Sequence, residues 1–244
     1  ARTPEGLREL IGQWIERLAT DDASIEDLCF TTSLRRNHYP VRVAAAGRTK
    51  AELSERLTLF DGAAAVAVAP KIGFVFSGQG PQWWAMGRGL MDSEPVFRAA
   101  LEACDAAIAK TAGWSVLEEL QRPEAESRIA ETKIAQPALF ALQAALATLY
   151  ASWGVKPAAV IAHSVGEIAA LHVSGALGLD EAARIVVLRG EAMQAATGTG
   201  AMAAVGLTEA EALAVAAAYP GRLAPAAGAL TATGSSISLV SDGN

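Results

Sequence analysis

The first segment of the chain has apolar residues at helical spacing. They recur every three or four positions after Pro4, and they are Leu7, Leu10, Ile11, Ile15 and Leu18. Two further helices are predicted over 24–32 and 50–59, with a polar loop and a short alternating strand over 41–45 between them. Residues 1–70 are therefore predicted to form a small α+β unit.

Two short apolar runs predict strands of a second unit. One spans 71–76 and ends in the sequence Ser-Gly-Gln-Gly, and the other spans 158–162 and ends at a His-Ser pair. Runs without polar alternation predict strands that are covered on both faces, as in the middle of a parallel sheet. Helices are predicted over 93–109, 115–120, 137–152, 166–176 and 180–196. The alternation of these strands and helices along the chain favours an α/β fold with crossover connections.

The last part of the chain follows a different order of elements. Strands are predicted over 202–207, 223–227 and 236–240, and a helix begins at Thr208 with a Thr-x-x-Glu capping pattern. The order β-α-β-β is most of a ferredoxin-like unit, without its closing helix and strand. We therefore expect three regions, over 1–70, 71–200 and 201–244.

Composition narrows the class of protein. The 244 residues are 52% hydrophobic and carry a formal net charge of −6, which argues against a disordered chain and against a nucleic-acid binder. Cys29 and Cys104 are too few for a disulfide framework, and no cluster has the spacing of metal ligands. We find no charged-then-apolar leader and no apolar run of membrane-spanning length. The expectation is a cytoplasmic α/β protein with no metal, no membrane and no nucleic-acid partner.

The strongest chemical signal is the sequence Ala162-His163-Ser164-Val165-Gly166, between a predicted strand and a predicted helix. A nucleophile elbow places a serine there between small residues, because the strand and helix backbones pass close together at the turn. The hydroxyl then points to the helix N-terminus, where backbone N–H groups can hold an oxyanion. Ala162 replaces the usual first glycine, and a chance strand–helix junction is the alternative. With an elbow, the core would be α/β-hydrolase-like with a parallel sheet.

Arg189 is the second signal, and it lies in an apolar helical context. The predicted helix after Ser164 leaves the site for about 15 Å, and the next one returns about 13 Å from Asp180 to Arg189, at ~1.5 Å per residue. The guanidinium would then lie near the serine, where it could hold a carboxylate with two parallel hydrogen bonds. A structural salt bridge to Glu167 or Glu191 is the alternative.

The glycine-rich loop supplies a further candidate, whereas a general base is missing. Gln79 could donate an amide hydrogen to an oxyanion, or the loop could be a tight strand exit with Trp83 covering the core. A serine nucleophile also needs a base within hydrogen-bond reach. His163 should point away from the neighbouring serine, His172 lies two helical turns further on, and His38 belongs to the first unit. We therefore expect the base to lie outside these residues.

Together these blocks resemble the start of an acyltransferase domain of a type I polyketide synthase, preceded by the linker that joins it to the ketosynthase domain. The similar segments are the opening block Gly73–Trp83, the serine motif Ala162–Glu167, the arginine at position 189 and the linker block Leu34–Ala44. The resemblance covers essentially the whole chain. It makes residues 1–70 a ketosynthase–acyltransferase linker and 71–200 the first part of the acyltransferase core.

The resemblance implies transfer of a malonyl-type extender unit from CoA to an acyl carrier protein through an acyl-serine, in polyketide and antibiotic biosynthesis. The residues implied are the nucleophile Ser164, the oxyanion donors Gln79 and Val165, and the substrate-binding Arg189, Met193 and His163. The donor would be malonyl-CoA or a substituted malonyl-CoA, the acceptor would be the carrier protein's phosphopantetheine thiol, and no cofactor would be bound. Further partners would be the adjacent ketosynthase domain and the remainder of the acyltransferase domain, which would supply the general-base histidine.

The extender unit and the reaction class leave alternatives open. Val165 follows the serine where many methylmalonyl-selective relatives carry glutamine, and Met193 lies one helical turn after Arg189, so malonyl is favoured over methylmalonyl. A serine hydrolase or thioesterase shares the elbow but has no need of a carboxylate anchor, and a non-catalytic docking module is the other alternative. Residues 1–244 alone are expected to expose apolar surface, to aggregate and to show no sustained acyl transfer.

Overall fold

The computed structural model describes residues 1–60, 64–65, 71–198, 200–220, 222–231 and 234–242. The chain divides into two compact units, Ala1–Lys71 and Ile72–Asn244. Each unit has its own hydrophobic core. All the candidate site residues named above lie in the second unit.

The first unit contains three helices and a two-stranded antiparallel sheet. The elements are α1 (Pro4–Thr20), α2 (Ile25–Leu34), β1 (Val41–Arg42), α3 (Lys50–Thr58) and β2 (Ala64–Ala65). Thr3, Ser24 and Thr49 cap the helices, because each side-chain oxygen accepts a hydrogen bond from a backbone N–H in the first turn. The buried core consists of Leu18, Leu28 and Leu53. The predicted helices are confirmed, whereas the predicted strand keeps only its first two residues.

The second unit begins with an α/β region that is mostly helical. Its elements are β3 (Gly73–Phe76), α4 (Arg88–Ser93), α5 (Pro95–Ala112), α6 (Val116–Gln121), α7 (Thr132–Ser152), β4 (Ala159–Ala162), α8 (Gly166–Val173) and α9 (Leu179–Ala195). A short 3₁₀ turn over Glu124–Glu126 precedes α7. Side chains from α5, α7 and α9 make up most of the buried core. The predicted alternation of strands and helices is confirmed, and α4 is an element that the sequence analysis did not identify.

The strands β3 and β4 pair in parallel, and only one face of the pair is covered in the part of the chain that the structure describes. Phe76 is buried in the helical core, and Phe74 packs partly buried against it. On the opposite face Val75 is 78% exposed, and its partner Ile161 is 66% exposed. The prediction of strands buried on both faces is therefore wrong for these residues. An apolar run does not alternate in polarity, so polarity alone could not show which face is covered.

Helix α7 is the most deeply buried element of the helical core. Every residue from Ile134 to Ala141 is buried. The predicted helix, 137–152, starts at Pro137, and proline is favoured in the first helical turn and disfavoured inside a helix. The helix instead begins at Thr132 and contains Pro137. Contrary to the expectation above, α7 is long and apolar enough, by length and composition, to cross a membrane. Of its most apolar 18 residues, however, 67% are buried inside the protein, as in a core helix.

The last described segment forms a three-stranded antiparallel sheet. Its elements are β5 (Gly200–Val205), α10 (Glu209–Ala217), β6 (Leu223–Thr231) and β7 (Gly234–Asp242). The strand order is β5-β7-β6, so β7 lies in the middle. Thr208 and Glu211 form the reciprocal hydrogen bonds of a capping box at the start of α10. The predicted strands and helix are confirmed, and each strand differs from its predicted bounds by a few residues at its ends.

Candidate active site

Ser164 lies on a sharp turn between β4 and α8. Its φ is 55°, and it is the single non-glycine residue with a positive φ among the residues that the structure describes. A side chain in this left-handed region costs about 1–2 kcal/mol, and such strain is typical of functional turns. The N–H of His163 donates to the carbonyl of Phe76 at 3.1 Å, which ties the turn to β3. The backbone therefore has the conformation of a nucleophile elbow.

Two glycines allow the elbow to lie this close to β3. A Cβ on Gly166 would lie 2.5 Å from the carbonyl oxygen of Phe76, and one on Gly78 would lie 2.7 Å from Nδ1 of His163. Real Cβ atoms essentially never approach other heavy atoms so closely. Ala162, which stands in the usual position of the first glycine, ends β4 and packs partly buried against the core. The close approach of the elbow to β3 thus depends on Gly166, the second glycine of the motif, and on Gly78 in the facing loop.

Two backbone N–H groups near the serine are unpaired. Within the described part of the chain, neither the N–H of Val165 nor that of Gln79 donates a hydrogen bond. The side chain of Val165 is 1% exposed, so this residue contributes only its backbone to the site. Gln79 follows β3 across the pair from β4. Unpaired N–H donors beside a nucleophile are the groups that an oxyanion hole requires.

Arg189 reaches the serine from α9. Its Nη2 donates to Ser164 Oγ at 3.1 Å, and its Nη1 donates to Gln136 Oε1 at 2.6 Å. The predicted return of this helix to the level of the serine is confirmed. Among the described residues no carboxylate pairs with Arg189, so the alternative of a salt bridge to Glu167 or Glu191 is wrong there. The guanidinium is held by neutral groups, and its positive charge remains available to an anion.

Gln136 connects the side chains of the site, and it was not among the residues predicted from the sequence. This fully buried side chain accepts from Arg189 and donates through Nε2 to Gln79 Oε1 at 3.2 Å and to Met193 Sδ at 3.1 Å. Position 136 lay just outside the predicted helix, 137–152. The available signal was a lone polar residue within an otherwise apolar stretch of α7, since a buried amide requires partners.

The side chains of Gln79 and Met193 face the same network. The Nε2 of Gln79 also donates to Thr132 Oγ1 at 3.2 Å, so its side-chain amide is turned toward the start of α7. The backbone N–H of Gln79 makes no hydrogen bond among the described residues, whereas its side chain is held by Thr132 and Gln136. Met193 is 39% exposed and lies one turn after Arg189. Trp83 is 54% exposed, so the alternative in which it covers the core is wrong.

No histidine makes a hydrogen bond to the side chain of the serine in the described part of the chain. His163 is exposed, beside Gly78, and makes no hydrogen bond to Ser164. The Nδ1 of His172 lies 3.1 Å from the carbonyl oxygen of Leu177, at the far end of α8. His38 belongs to the first unit. The structure thus brings together the serine, the arginine and the two N–H groups, without a general base from these three histidines.

A cysteine is not a rival nucleophile in the second unit. Cys104 lies in the core of α5, where burial and then the nearby carboxylate of Asp105 raise the pKa of its thiol to about 12. A thiol with that pKa is almost entirely protonated at neutral pH and therefore a poor nucleophile. Ser164 is the better candidate for covalent chemistry.

A strained serine on a strand–helix turn, next to an arginine with no acidic partner, defines a serine-nucleophile site suited to acyl groups that carry a negative charge. Residues 73–229 match the family model of the acyl transferase domain, and the chain belongs to this family. Residues 1–57 match a second family model, described as CurL-like, PKS C-terminal.

Polyketide synthases and acyltransferases are among the similar proteins. The chain is 39% identical over 86% of its length to erythronolide synthase EryA2 of Saccharopolyspora erythraea, of which it covers 6%. The acyltransferase domain from module 8 of the salinomycin polyketide synthase is 30% identical, with a TM-score of 0.81 over 100% of this chain and 59% of that one. The malonyl CoA-acyl carrier protein transacylase of Coxiella burnetii is 31% identical, with a TM-score of 0.63 over 71% of this chain and 54% of that one. The chain thus spans less than two thirds of each of these relatives.

Proposed function

We propose that this chain carries the nucleophile and the carboxylate-binding site of an acyltransferase that moves a malonyl-type acyl group from CoA to an acyl carrier protein. The observation that carries the proposal is the contact of Arg189 with Ser164 at 3.1 Å, in the absence of an acidic partner for the arginine among the described residues. A hydrolase of uncharged acyl groups has no use for this cation. The similarity to a malonyl CoA-acyl carrier protein transacylase supports the same substrate class.

The first half of the reaction forms an acyl-serine. Ser164 Oγ attacks the thioester carbonyl carbon, its proton passes to a general base, and the carbonyl oxygen becomes an oxyanion. The unpaired N–H groups of Val165 and Gln79 stabilise this oxyanion, and its collapse expels the CoA sulfur, which leaves with a proton. In the second half, the phosphopantetheine thiol of the carrier protein attacks the acyl-serine and the serine recovers its proton. We propose that the base is a histidine from outside residues 1–244.

Arg189 provides the selectivity for a carboxylate. Its guanidinium makes hydrogen bonds only to the neutral Gln136 and Ser164 in the described chain, so a malonyl carboxylate would add the first negative charge. At 4 Å and an effective dielectric constant of about 20, such a pair is attracted by about 4 kcal/mol before desolvation is subtracted. An acetyl group has no carboxylate and therefore gains none of this attraction. We therefore propose a strong preference for malonyl-type over acetyl thioesters.

The pocket favours a small extender unit. Met193 lies on the same face of α9 as Arg189 and contacts Gln136, which places its side chain beside the expected position of the malonyl α-carbon. We propose that its bulk favours malonyl over methylmalonyl. His163 is exposed beside the serine and is proposed to lie at the entrance for the thioester. Competition between malonyl-CoA and methylmalonyl-CoA tests this choice, and a clear methylmalonyl preference would contradict it.

The finer architecture and the partners are proposals as well. The order β5-β7-β6 is the order of the first three strands of a ferredoxin-like sheet, which supports an incomplete ferredoxin-like subdomain over 201–244. The elbow supports an α/β-hydrolase-like core over 71–200. We propose that residues 1–70 link this core to a ketosynthase domain, that the remainder of the acyltransferase domain completes the fold, and that the protein acts in the cytoplasm.

Intact-mass measurement of the full-length protein after exposure to malonyl-CoA tests the proposed function. The wild type should gain one malonyl group, and Ser164→Ala should gain none, while the control Ser174→Ala at the exposed end of α8 should label normally. Addition of carrier protein should then move the group to its phosphopantetheine thiol. Release of free malonate instead would indicate a hydrolase, and an unchanged adduct on Ser164→Ala would refute the nucleophile.

A further inference from the structure

Gly190 lies at a very close contact between α9 and α7. A Cβ at this position would lie 3.1 Å from the Cα of Lys133 and 3.3 Å from the carbonyl oxygen of Thr132. Carbon atoms pack best at about 3.5–4.0 Å, so both distances are shorter than an ordinary contact. The opposing atoms belong to backbone in the first turn of α7, which cannot turn aside as the end of a side chain can. Any larger residue must therefore move one helix relative to the other.

A glycine in this place has no advantage for the helix itself. Gly190 is buried near the middle of the second half of α9 and has an ordinary helical conformation without a positive φ. Glycine is the poorest helix former after proline, because it loses the most backbone freedom on folding. The close approach to α7 is the feature of the structure that requires it.

The same contact aligns the side chains of the site. One turn after the glycine, Gln194 Oε1 accepts a hydrogen bond from the N–H of Lys133 at 3.4 Å. Arg189 and Met193 directly precede Gly190 and Gln194, and both contact Gln136. Arg189 donates a hydrogen bond to Gln136 at 2.6 Å, and Met193 accepts one from it at 3.1 Å. One row of residues on α9, Gly190 and Gln194, thus contacts the start of α7. The adjacent row, Arg189 and Met193, contacts Gln136 one turn further along α7.

We propose that Gly190 is a positioning residue for carboxylate recognition, which sets the distance between α9 and α7 so that Arg189 bonds both Gln136 and Ser164. This inference rests on the proposed function, because it assumes that Arg189 receives the substrate carboxylate. An alanine would have to push the helices apart by a few tenths of an ångström. A displacement of that size tilts the guanidinium away from a two-hydrogen-bond geometry and leaves the backbone of the elbow, with its N–H donors, in place.

The test is the ratio of kcat/KM for malonyl-CoA to that for acetyl-CoA, measured for transfer to a carrier protein by the full-length protein. Gly190→Ala should lower this ratio by about tenfold, because misplacement of a binding group by a fraction of an ångström is costly only for the substrate that uses it. The change should appear mainly in KM for malonyl-CoA. Gly178→Ala is the matched control at the start of the same helix, since no atom lies within 4 Å of its Cβ position and its φ is −66°.

The outcomes separate this inference from the proposed function. A wild-type protein without malonyl preference would refute the proposed function, whereas a wild-type preference that Gly190→Ala retains would refute only the role of Gly190. An equal loss for both substrates would also refute it, because a merely structural role would have that effect. If Gly190→Ala fails to fold, Gln194→Ala loosens the same junction without added bulk. It should lower the ratio about threefold, and an unchanged ratio would overturn the inference.

Discussion

The two halves of the site are built in different ways. On the serine side, the position of Ser164 is fixed by backbone packed on backbone, with Gly166 against the carbonyl of Phe76. On the arginine side, the guanidinium of Arg189 is held by side-chain hydrogen bonds to Gln136 and Ser164, on a helix whose distance from α7 we propose Gly190 to set. Backbone contacts tolerate no added atoms, whereas side-chain networks can be rearranged. Changes on the serine side should therefore abolish the reaction, and changes on the arginine side should alter which acyl group is accepted.

The largest effect is expected for Gly166→Ala. Its Cβ would lie 2.5 Å and 2.7 Å from the carbonyl oxygens of Phe76, which ends β3, and Ser77, which follows it. Overpacking against rigid backbone costs about 1–3 kcal/mol or more, so we expect a clear fall in the free energy of unfolding. Acylation of the serine should be lost. Chemical denaturation and intact-mass measurement check the two effects.

The control for this variant is Gly89→Ala, an exposed helical glycine with no atom within 4 Å of its Cβ position. It should be as stable as the wild type or slightly more stable, because alanine is the better helix former by about 1 kcal/mol. Equal stability of Gly166→Ala and Gly89→Ala would show that the elbow does not depend on close backbone packing.

The serine side is also the part that the sequence predicts best. The elbow is a local structure, encoded by a short apolar strand, a serine between small residues and a helix. What the sequence could not show is the open face at Val75 and Ile161, because a run of apolar residues has no polarity from which a face can be inferred. Cover on that face depends on which segments pack there, and that is not a local property.

Arg189→Ala should have the next largest effect. Without the guanidinium, malonyl transfer should fall about 100-fold, which corresponds to about 2.7 kcal/mol, while acetyl transfer should change little. Arg184→Ala is the matched control, since Arg184 lies exposed on the same helix. The measurement is kcat/KM for both CoA esters. A uniform loss with both esters would mean that the arginine supports the fold or the serine instead of the carboxylate.

The arginine side was only half predictable. The spacing of two helices brought Arg189 to the level of the serine, because helix rise is regular. Gln136 was missed because Pro137 was interpreted as the first residue of the helix, whereas tertiary packing keeps the proline inside α7. The partners of a buried amide come from segments that are distant in sequence, here Gln79, Arg189 and Met193, and no local pattern identifies them.

Gln136→Glu sharpens the difference between the two halves. A carboxylate of the same shape would pair with Arg189 at the position of the present 2.6 Å hydrogen bond and neutralise it. We expect the malonyl preference to fall at least tenfold, because the substrate carboxylate would face an occupied guanidinium. Acylation by acetyl-CoA should persist. Gln13→Glu adds the same charge at an exposed position of the first unit and serves as the control. An unchanged preference would show that Gln136 does not contact the arginine that binds substrate.

The smallest effect is expected for Met193→Ala. Met193 is partly exposed and touches the network only through a weak hydrogen bond from Gln136 to its sulfur, so stability should change by less than about 1 kcal/mol. Truncation opens space beside the carboxylate site. One methyl group in a closed apolar pocket changes discrimination by about 10–200-fold, and at a partly exposed residue the effect should lie below that range. We therefore expect a several-fold shift from malonyl-CoA toward methylmalonyl-CoA in direct competition. Leu188→Ala removes a similarly exposed side chain from the same helix and should leave the competition unchanged. An equal shift in both variants would mean that the helix, and not the space at Met193, determines the choice of extender unit.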